Sequence, residues 1–257
     1  MRWSEQVSAQ PKSVSAIADW RRDLWSRGLR RLYAETRKRF GTPLLRARLA
    51  VGVEPLSNRW FARGQPVHRY YTERFLIDNA ADIRGRCLEF QEDSYTSRFG
   101  GMSVTSVDVL HKERDARAGR ATLFADLTRE NSLPGGTYDC VICTYVLHIV
   151  NELEVFVAEL HRLLRPGGVL LVVVPNITVA YAEFPELWRF TPLGLARLLE
   201  RSFGGGNVQA RSYGNSLTCA GEIRGLAVPD FAHAELDAND PRYGLVACAR
   251  AVKGRVD

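Results

Sequence analysis

From Ile83 onward the chain alternates short apolar strands with helical stretches, and few architectures accept that order. Arg86–Gln91, Val104–Val109, Ala121–Phe124 and Tyr138–Thr144 read as the first four strands. A helix at about Glu152–Leu164 and the turn Pro166-Gly-Gly168 lead to a fifth, Val169–Val174. A second helix at about Pro192–Arg201 precedes Asn207–Ser212 and, last, Tyr243–Val252. Strands that are apolar along their length and separated by helices are buried on both faces, which calls for a mostly parallel sheet with helices on each side. The expected fold is therefore α/β: a Rossmann-like, seven-stranded, mostly parallel sheet with an N-terminal helical extension. Ligands on such sheets lie at the carboxyl ends of the strands.

The two ends of the chain differ in charge. Ten basic residues against two acids between Trp20 and Arg48 give that segment +8, while the whole chain carries +6, so the remainder sums to −2. Residues 14–40 fit an amphipathic helix with Ile17, Trp20, Leu24, Trp25, Leu29, Leu32 and Tyr33 on its apolar side, closed by Gly41-Thr-Pro43. Its apolar stripe is expected to pack on the body or on a second copy as a homodimer; an anionic surface is the alternative. Residues 1–66 are taken as this extension and 67–257 as the catalytic domain, with an insert at 214–241. The longest apolar run is far short of the ~20 residues a bilayer crossing needs, and Met1–Gln10 has no signal-peptide character, so the location expected is cytoplasmic. Five cysteines without disulfide rhythm agree with a reducing compartment. Cys140 and Cys143 form a C-x-x-C, but on a strand their odd separation puts the thiols on opposite faces, so no redox pair is expected. The histidines show no metal-ligand spacing, and no metal is expected.

A nucleoside site on this fold asks for close backbone approach after the first strand, an acid at the end of the second and a polar edge for the base. Glu89 closes the first strand as read, and Asp108, 19 residues on, closes the second. A carboxylate suits two vicinal hydroxyls because it only accepts hydrogen bonds. Asp126-Leu127 follows the third strand, where an acid can accept from an adenine amino group while the leucine packs on the ring.

Cys87-Leu-Glu-Phe90, Val104-Thr-Ser-Val-Asp-Val109, Ala125-Asp-Leu127, Tyr138–His148 and Leu163-Leu-Arg-Pro-Gly-Gly168 together resemble a class I S-adenosylmethionine-dependent methyltransferase of the type-11 group. Arg69-Tyr-Tyr-Thr-Glu-Arg-Phe75, Asp93-Ser-Tyr-Thr96, Arg98-Phe-Gly-Gly101 and Trp188-Arg-Phe-Thr191 are similar to a bacterial subgroup found beside glycosyltransferases of polysaccharide and natural-product pathways. The resemblance implies S-adenosylmethionine as cofactor, bound by Tyr71, Glu89, Gln91, Tyr95, Asp108, Val109, Asp126, Leu127, Thr144 and Tyr145. Within that set Asp108 would hold the ribose, Asp126 and Leu127 the adenine, and residues 145–148 the reactive end. The chain departs from the family at its loop, where Phe90 runs into Gln91-Glu-Asp-Ser-Tyr-Thr96 without a glycine until Gly100; the subgroup keeps a glycine where Gln91 stands.

Methyl transfer is an in-line displacement in which positioning carries much of the rate, and a hydroxyl acceptor also needs a base. His148, just past the fourth strand, is the candidate base; its alternative is ordering the cofactor or packing a helix start. Tyr70, Tyr181, Trp188, Arg189 and Phe190 are the candidate acceptor contacts, suited to a sugar, an aromatic ring or a carboxylate. The expected activity is O-methylation of a sugar or secondary metabolite. A degenerate-loop protein with a non-methylating or non-catalytic role is the alternative, and a nucleic-acid substrate is not expected of a body summing to −2.

Overall fold

The computed structural model describes residues 47, 52–57, 63–114, 119–180 and 185–255. The N-terminal helix expected at 14–40, and with it the homodimer, lies outside the described residues, as does Tyr181. Residues 54–257 form one compact unit. It opens with α1 (Val67–Asp78), β1 (Gly85–Phe90), α2 (Ser94–Phe99), β2 (Val104–His111) and β3 (Leu123–Phe124). Then come β4 (Tyr138–Thr144), α3 (Leu153–Leu163), β5 (Leu164–Pro175), α4 (Pro192–Phe203), β6 (Val208–Tyr213), α5 (Ser216–Ile223), α6 (His233–Asp237) and β7 (Val246–Val252). All seven strands join one sheet in the order β3-β2-β1-β4-β5-β7-β6. The pairs from β3 to β5 are parallel, and β7 runs antiparallel to both β5 and β6. The expected fold class is the one observed.

Burial explains the strand composition. Val141, Ile142, Cys143, Leu170, Leu171, Val172 and Val173 are all fully buried, because β4 and β5 lie mid-sheet with helices on both sides. Cys143 joins the core beneath α3 and α4, whereas Cys140 lies beside Cys87 across the β1–β4 pair, so the C-x-x-C thiols do face opposite ways. All five cysteines are free and buried. The helix α3 presents Leu153, Phe156, Val157, Leu160 and Leu163 at i, i+3, i+4 spacing to this core. At its end Lys253 Nζ donates to the His161 and Leu164 carbonyls at 2.9 and 2.7 Å, satisfying groups the helix leaves unpaired. The chain then turns straight into β5. Gly167 adopts φ +78°, and a Cβ on Gly168 would meet the Arg165 and Tyr138 carbonyl oxygens at 2.9 Å, so both glycines of the Pro-Gly-Gly turn are required by geometry.

Residues 54–66 belong with this body rather than with an extension ending at 66: Arg63 makes a two-pronged ion pair with Asp230, and Leu56 N–H donates to the Arg224 carbonyl. The segment 214–241 folds as α5, a short 3-10 turn and α6, and it packs on α1. No helix among the described residues is long and apolar enough to cross a membrane.

Leu160, fully buried in the α3 face, sets a test of this packing. Leu160→Ala is expected to cost about 2–5 kcal/mol through lost burial and a residual cavity, read as a lower urea midpoint at unchanged slope.

Candidate functional site

Where the sheet's connections change direction, between β1 and β4, the carboxyl ends of β1–β4 open into a cleft of about 410 Å³. Phe90 and Gln91 leave β1 into it, Leu110 and His111 end β2, Asp126 and Leu127 follow β3, and Val146 follows β4. Glu113 lines the same wall. The volume is in the range of a small-molecule site, with apolar walls and few polar groups.

Backbone strain gathers at this edge. Gln91 (φ +68°) and Tyr145 (φ +55°) are the two non-glycine residues of positive φ among the described residues, and they terminate neighbouring strands. Each such conformation costs about 1–2 kcal/mol, so the surroundings must hold it in place. Gln91 N–H donates to the Leu110 carbonyl at 3.1 Å; Tyr145 N–H donates to the Val173 carbonyl at 2.8 Å. The Tyr145 hydroxyl shares a 2.8 Å hydrogen bond with the Thr72 hydroxyl on α1. Gln91 thus keeps the left-handed turn that glycine supplies in the family, and the loop survives without the residue expected there.

Glu89, at the buried end of β1, anchors the loop from below. Its carboxyl accepts from Tyr95 N–H, Thr96 N–H and the Thr96 hydroxyl at 3.1, 2.8 and 2.7 Å, fixing the first turn of α2. Burial pushes this carboxyl up to about 7 while those three donors pull it back. Tyr95 in turn faces α1 and accepts from Arg69 Nη1 at 2.5 Å.

Asp126 pairs with Lys112 at 3.1 Å and accepts from the Thr128 amide and hydroxyl. Partial burial pushes its carboxyl upward, but the Thr128 bonds and the Lys112 charge outweigh that and hold it below the usual range. It remains an ionised acceptor beside the apolar Leu127.

The structure places Asp108 elsewhere. The strand β2 runs on to His111, and Asp108 pairs in register with Leu88, two positions short of the Phe90–Leu110 edge. Its carboxylate accepts from Arg86 Nε and Nη2 at 2.9 and 2.8 Å and from the Tyr138 hydroxyl at 3.1 Å. Residues ending β2 inside the cleft are His111 and, beyond it, Glu113, which the sequence reading missed; the run Val109-Leu110-His111 continuing the strand pattern was the available signal. Val109 is buried in β2, Thr144 ends β4, and neither lines the cleft.

Tyr71 also lies apart. Its hydroxyl donates to the Leu236 carbonyl at 3.0 Å, and its ring stacks on Tyr213 beside a second cavity at the end of β6. Tyr70 reaches Asp237 there at 3.0 Å. The charges around that cavity pair off, Arg211 with Asp78 and Arg74 with Asp237, which leaves it without an evident demand for a ligand.

His148 sits in a 3-10 turn after β4, buried, with its carbonyl accepting from Leu187 and Trp188 N–H. Its Nδ1 has no hydrogen-bond partner, and Nε2 stands 3.9 Å from Glu186 Oε1. Burial pulls the imidazole down to about 4; Glu186 opposes this and Arg189 adds to it. The ring is neutral at pH 7 and can accept a proton. Trp188 is exposed on this rim with its indole N–H on the Val150 carbonyl, Arg189 pairs with Glu186, and Phe190 is buried in the core below.

Two outcomes follow. Between pH 6.5 and about 4 the unfolded chain takes up a proton on His148 that the folded chain refuses, so stability falls as pH drops through that window. His148→Gln should remove up to about 3 kcal/mol of that fall, seen in urea titrations at pH 7 and pH 4.5. Asp108→Asn should lower stability by about 1–2 kcal/mol by loosening its hold on Arg86 and Tyr138, with cofactor affinity, measured by calorimetry, kept within about threefold.

Comparison with known proteins agrees with this edge as the working one. Residues 90–172 match the methyltransferase domain family, from the end of β1 to the body of β5. A stretch of 60 residues is 32% identical to probable polyketide synthase 1 of Dictyostelium discoideum, covering 21% of this chain and 2% of that protein. The chain thus spans a small fraction of that relative. Among solved structures, an S-adenosylmethionine-dependent methyltransferase from Archaeoglobus fulgidus superposes with a TM-score of 0.50 at 15% identity, over 74% of this chain and 96% of that one. Phosphoethanolamine N-methyltransferase 2 of Haemonchus contortus, solved with S-adenosyl-L-methionine, gives 0.46 at 12% identity over 79% and 54%. At these identities the likeness is one of fold.

Proposed function

We propose that this chain, a class I S-adenosylmethionine-dependent methyltransferase of the type-11 kind, methylates a hydroxyl of a small acceptor such as a sugar or secondary metabolite. The observation that carries the reading is the pair of strained residues, Gln91 and Tyr145, held at adjoining strand ends around a cleft of nucleoside size. Strain of this kind persists where the fold holds residues in place for a ligand.

The residues at the cleft fit the cofactor. Leu110, Leu127 and Phe90 offer faces for an adenine ring, Asp126 an ionised acceptor for its amino group, and Glu113 an acceptor for ribose hydroxyls. When bound, S-adenosylmethionine supplies a methyl carbon already activated by a sulfonium. The chain's share of the chemistry is orientation, exclusion of water and removal of one proton. His148, neutral and beside the exposed rim of Trp188 and Arg189, is our candidate for that proton, with Glu186 favouring the imidazolium as it forms. A partly exposed tryptophan and a guanidinium suit a polyhydroxyl or aromatic acceptor. The five buried thiols agree with work in the cytoplasm.

The test has two stages. Calorimetry should show binding of S-adenosylmethionine and S-adenosylhomocysteine, weakened at least tenfold in Glu113→Gln; no binding at millimolar ligand would sink the reading. A panel of sugars, sugar phosphates and phenols is then screened for S-adenosylhomocysteine release. On any accepted substrate His148→Ala should lower kcat about 10²–10⁴-fold with cofactor affinity unchanged. Cofactor binding without turnover on any acceptor would favour the non-methylating alternative.

A further inference from the structure

Arg69 is a cation in search of an anion. It stands on the first turns of α1, half-buried, between the rings of Tyr95 and Tyr145, its guanidinium carbon 5.9 and 5.4 Å from their centroids. One of its five N–H donors is spent on the Tyr95 hydroxyl at 2.5 Å. Among the described residues no carboxylate makes an ion pair with it, although the neighbouring arginines of α1 and β1 all find one: Arg63 has Asp230, Arg74 has Asp237 and Arg86 has Asp108. A guanidinium withdrawn from water and left with unused donors is costly unless an anion completes it.

Its two aromatic neighbours say where that anion comes from. Tyr145 directly precedes Val146, and Tyr95 follows Gln91 by four residues on the helix that Glu89 anchors; Val146 and Gln91 both line the cleft. Arg69 therefore adjoins the cleft on the side where β1 and β4 meet, away from Asp126 and Leu127 behind β3. A cofactor whose adenine lies at Asp126 and Leu127 directs its amino-acid tail the other way. The acids of the loop, Glu92 and Asp93, stand on that side too, matching the tail's ammonium and sulfonium.

Resting on the cofactor reading above, we propose that Arg69, clamped between Tyr95 and Tyr145, binds the methionyl carboxylate of S-adenosylmethionine. A planar guanidinium can take a carboxylate through two parallel N–H bonds, and its orientation is set before the ligand arrives by the two rings and the Tyr95 hydroxyl. The helix α1 thereby becomes part of the cofactor site, a role that neither spacing nor strand pattern reveals. Arg69 is a binding residue here, remote from the transferred carbon.

The experiment is a calorimetric double-mutant cycle on the full chain with S-adenosylmethionine and decarboxylated S-adenosylmethionine, which differ only in the carboxylate. The wild-type protein should prefer the carboxylated form by about 10–100-fold, the range of a charge-assisted hydrogen-bonded pair. Arg69→Met should lose that preference, weakening S-adenosylmethionine by a similar factor while binding the decarboxylated ligand within about threefold of wild type. Arg69→Lys, which keeps the charge but not the fork, should fall between. Retained affinity for the decarboxylated ligand doubles as proof that the variants fold. Equal loss for both ligands, or an undiminished preference in either variant, overturns the assignment while leaving cofactor binding intact. Failure of the wild-type protein to bind either ligand overturns the cofactor reading, and the assignment with it.

Discussion

The pairing of β1 with β4, parallel and buried on both faces, is the constraint from which the rest of this molecule follows. Cys87, Leu88 and Glu89 lie level with Cys140, Val141 and Ile142, and the chain leaves the two strands toward opposite halves of the sheet. Two strands whose connections part in this way leave a gap above their carboxyl ends that no crossover helix fills. The apolar content of β4 and β5 is what makes that geometry stable; a polar face on either would draw the sheet edge into water and close the gap. Fold and site are therefore set by the same residues.

What surrounds the gap is held by a small number of polar bonds to buried groups. Glu89 ties α2 to β1, and Thr72 and the His68 carbonyl tie α1 to Tyr145. Glu222 on α5 meets both the His68 ring and the Val67 N–H, tying the insert to the start of α1. None of these bonds contributes more than a few kcal/mol, yet together they fix two backbone conformations that no isolated peptide would choose. The glycine missing from the loop is replaced by this scaffold.

Much of this was legible in the chain. Strand positions, the crossing of the C-x-x-C thiols and the helices before and after β5 follow from period and composition, because burial on two faces leaves a strong local signature. Strand ends leave none. Asp108 lies at the separation from Glu89 expected of a ribose acid, but the reach of β2 is set by its pairing with β1 and β3, which carries it three residues further. An acid in mid-strand next to Arg86 and Tyr138 looks the same in sequence as an acid at the edge. Tyr71 and Phe190 mislead for a related reason: an aromatic residue near a site and one in the core beneath it have the same composition, and only packing separates them. Arg69 carried no sequence signal apart from its place in a motif, since what distinguishes it is the lack of a partner in three dimensions.

The insert between β6 and β7 has a consequence for how this chain can vary. Its α5 and α6 grip the helix that starts the body, through Thr218 and Leu236 on Tyr71 and Glu222 on His68, although about 150 residues of sequence separate them. A segment so attached is not a detachable module. Exchange it for the corresponding stretch of another protein, and the first helix loses its footing along with whatever that helix holds. Diversification of the cap must then proceed in step with residues near position 70, so the beginning and the end of the domain are bound to a shared history.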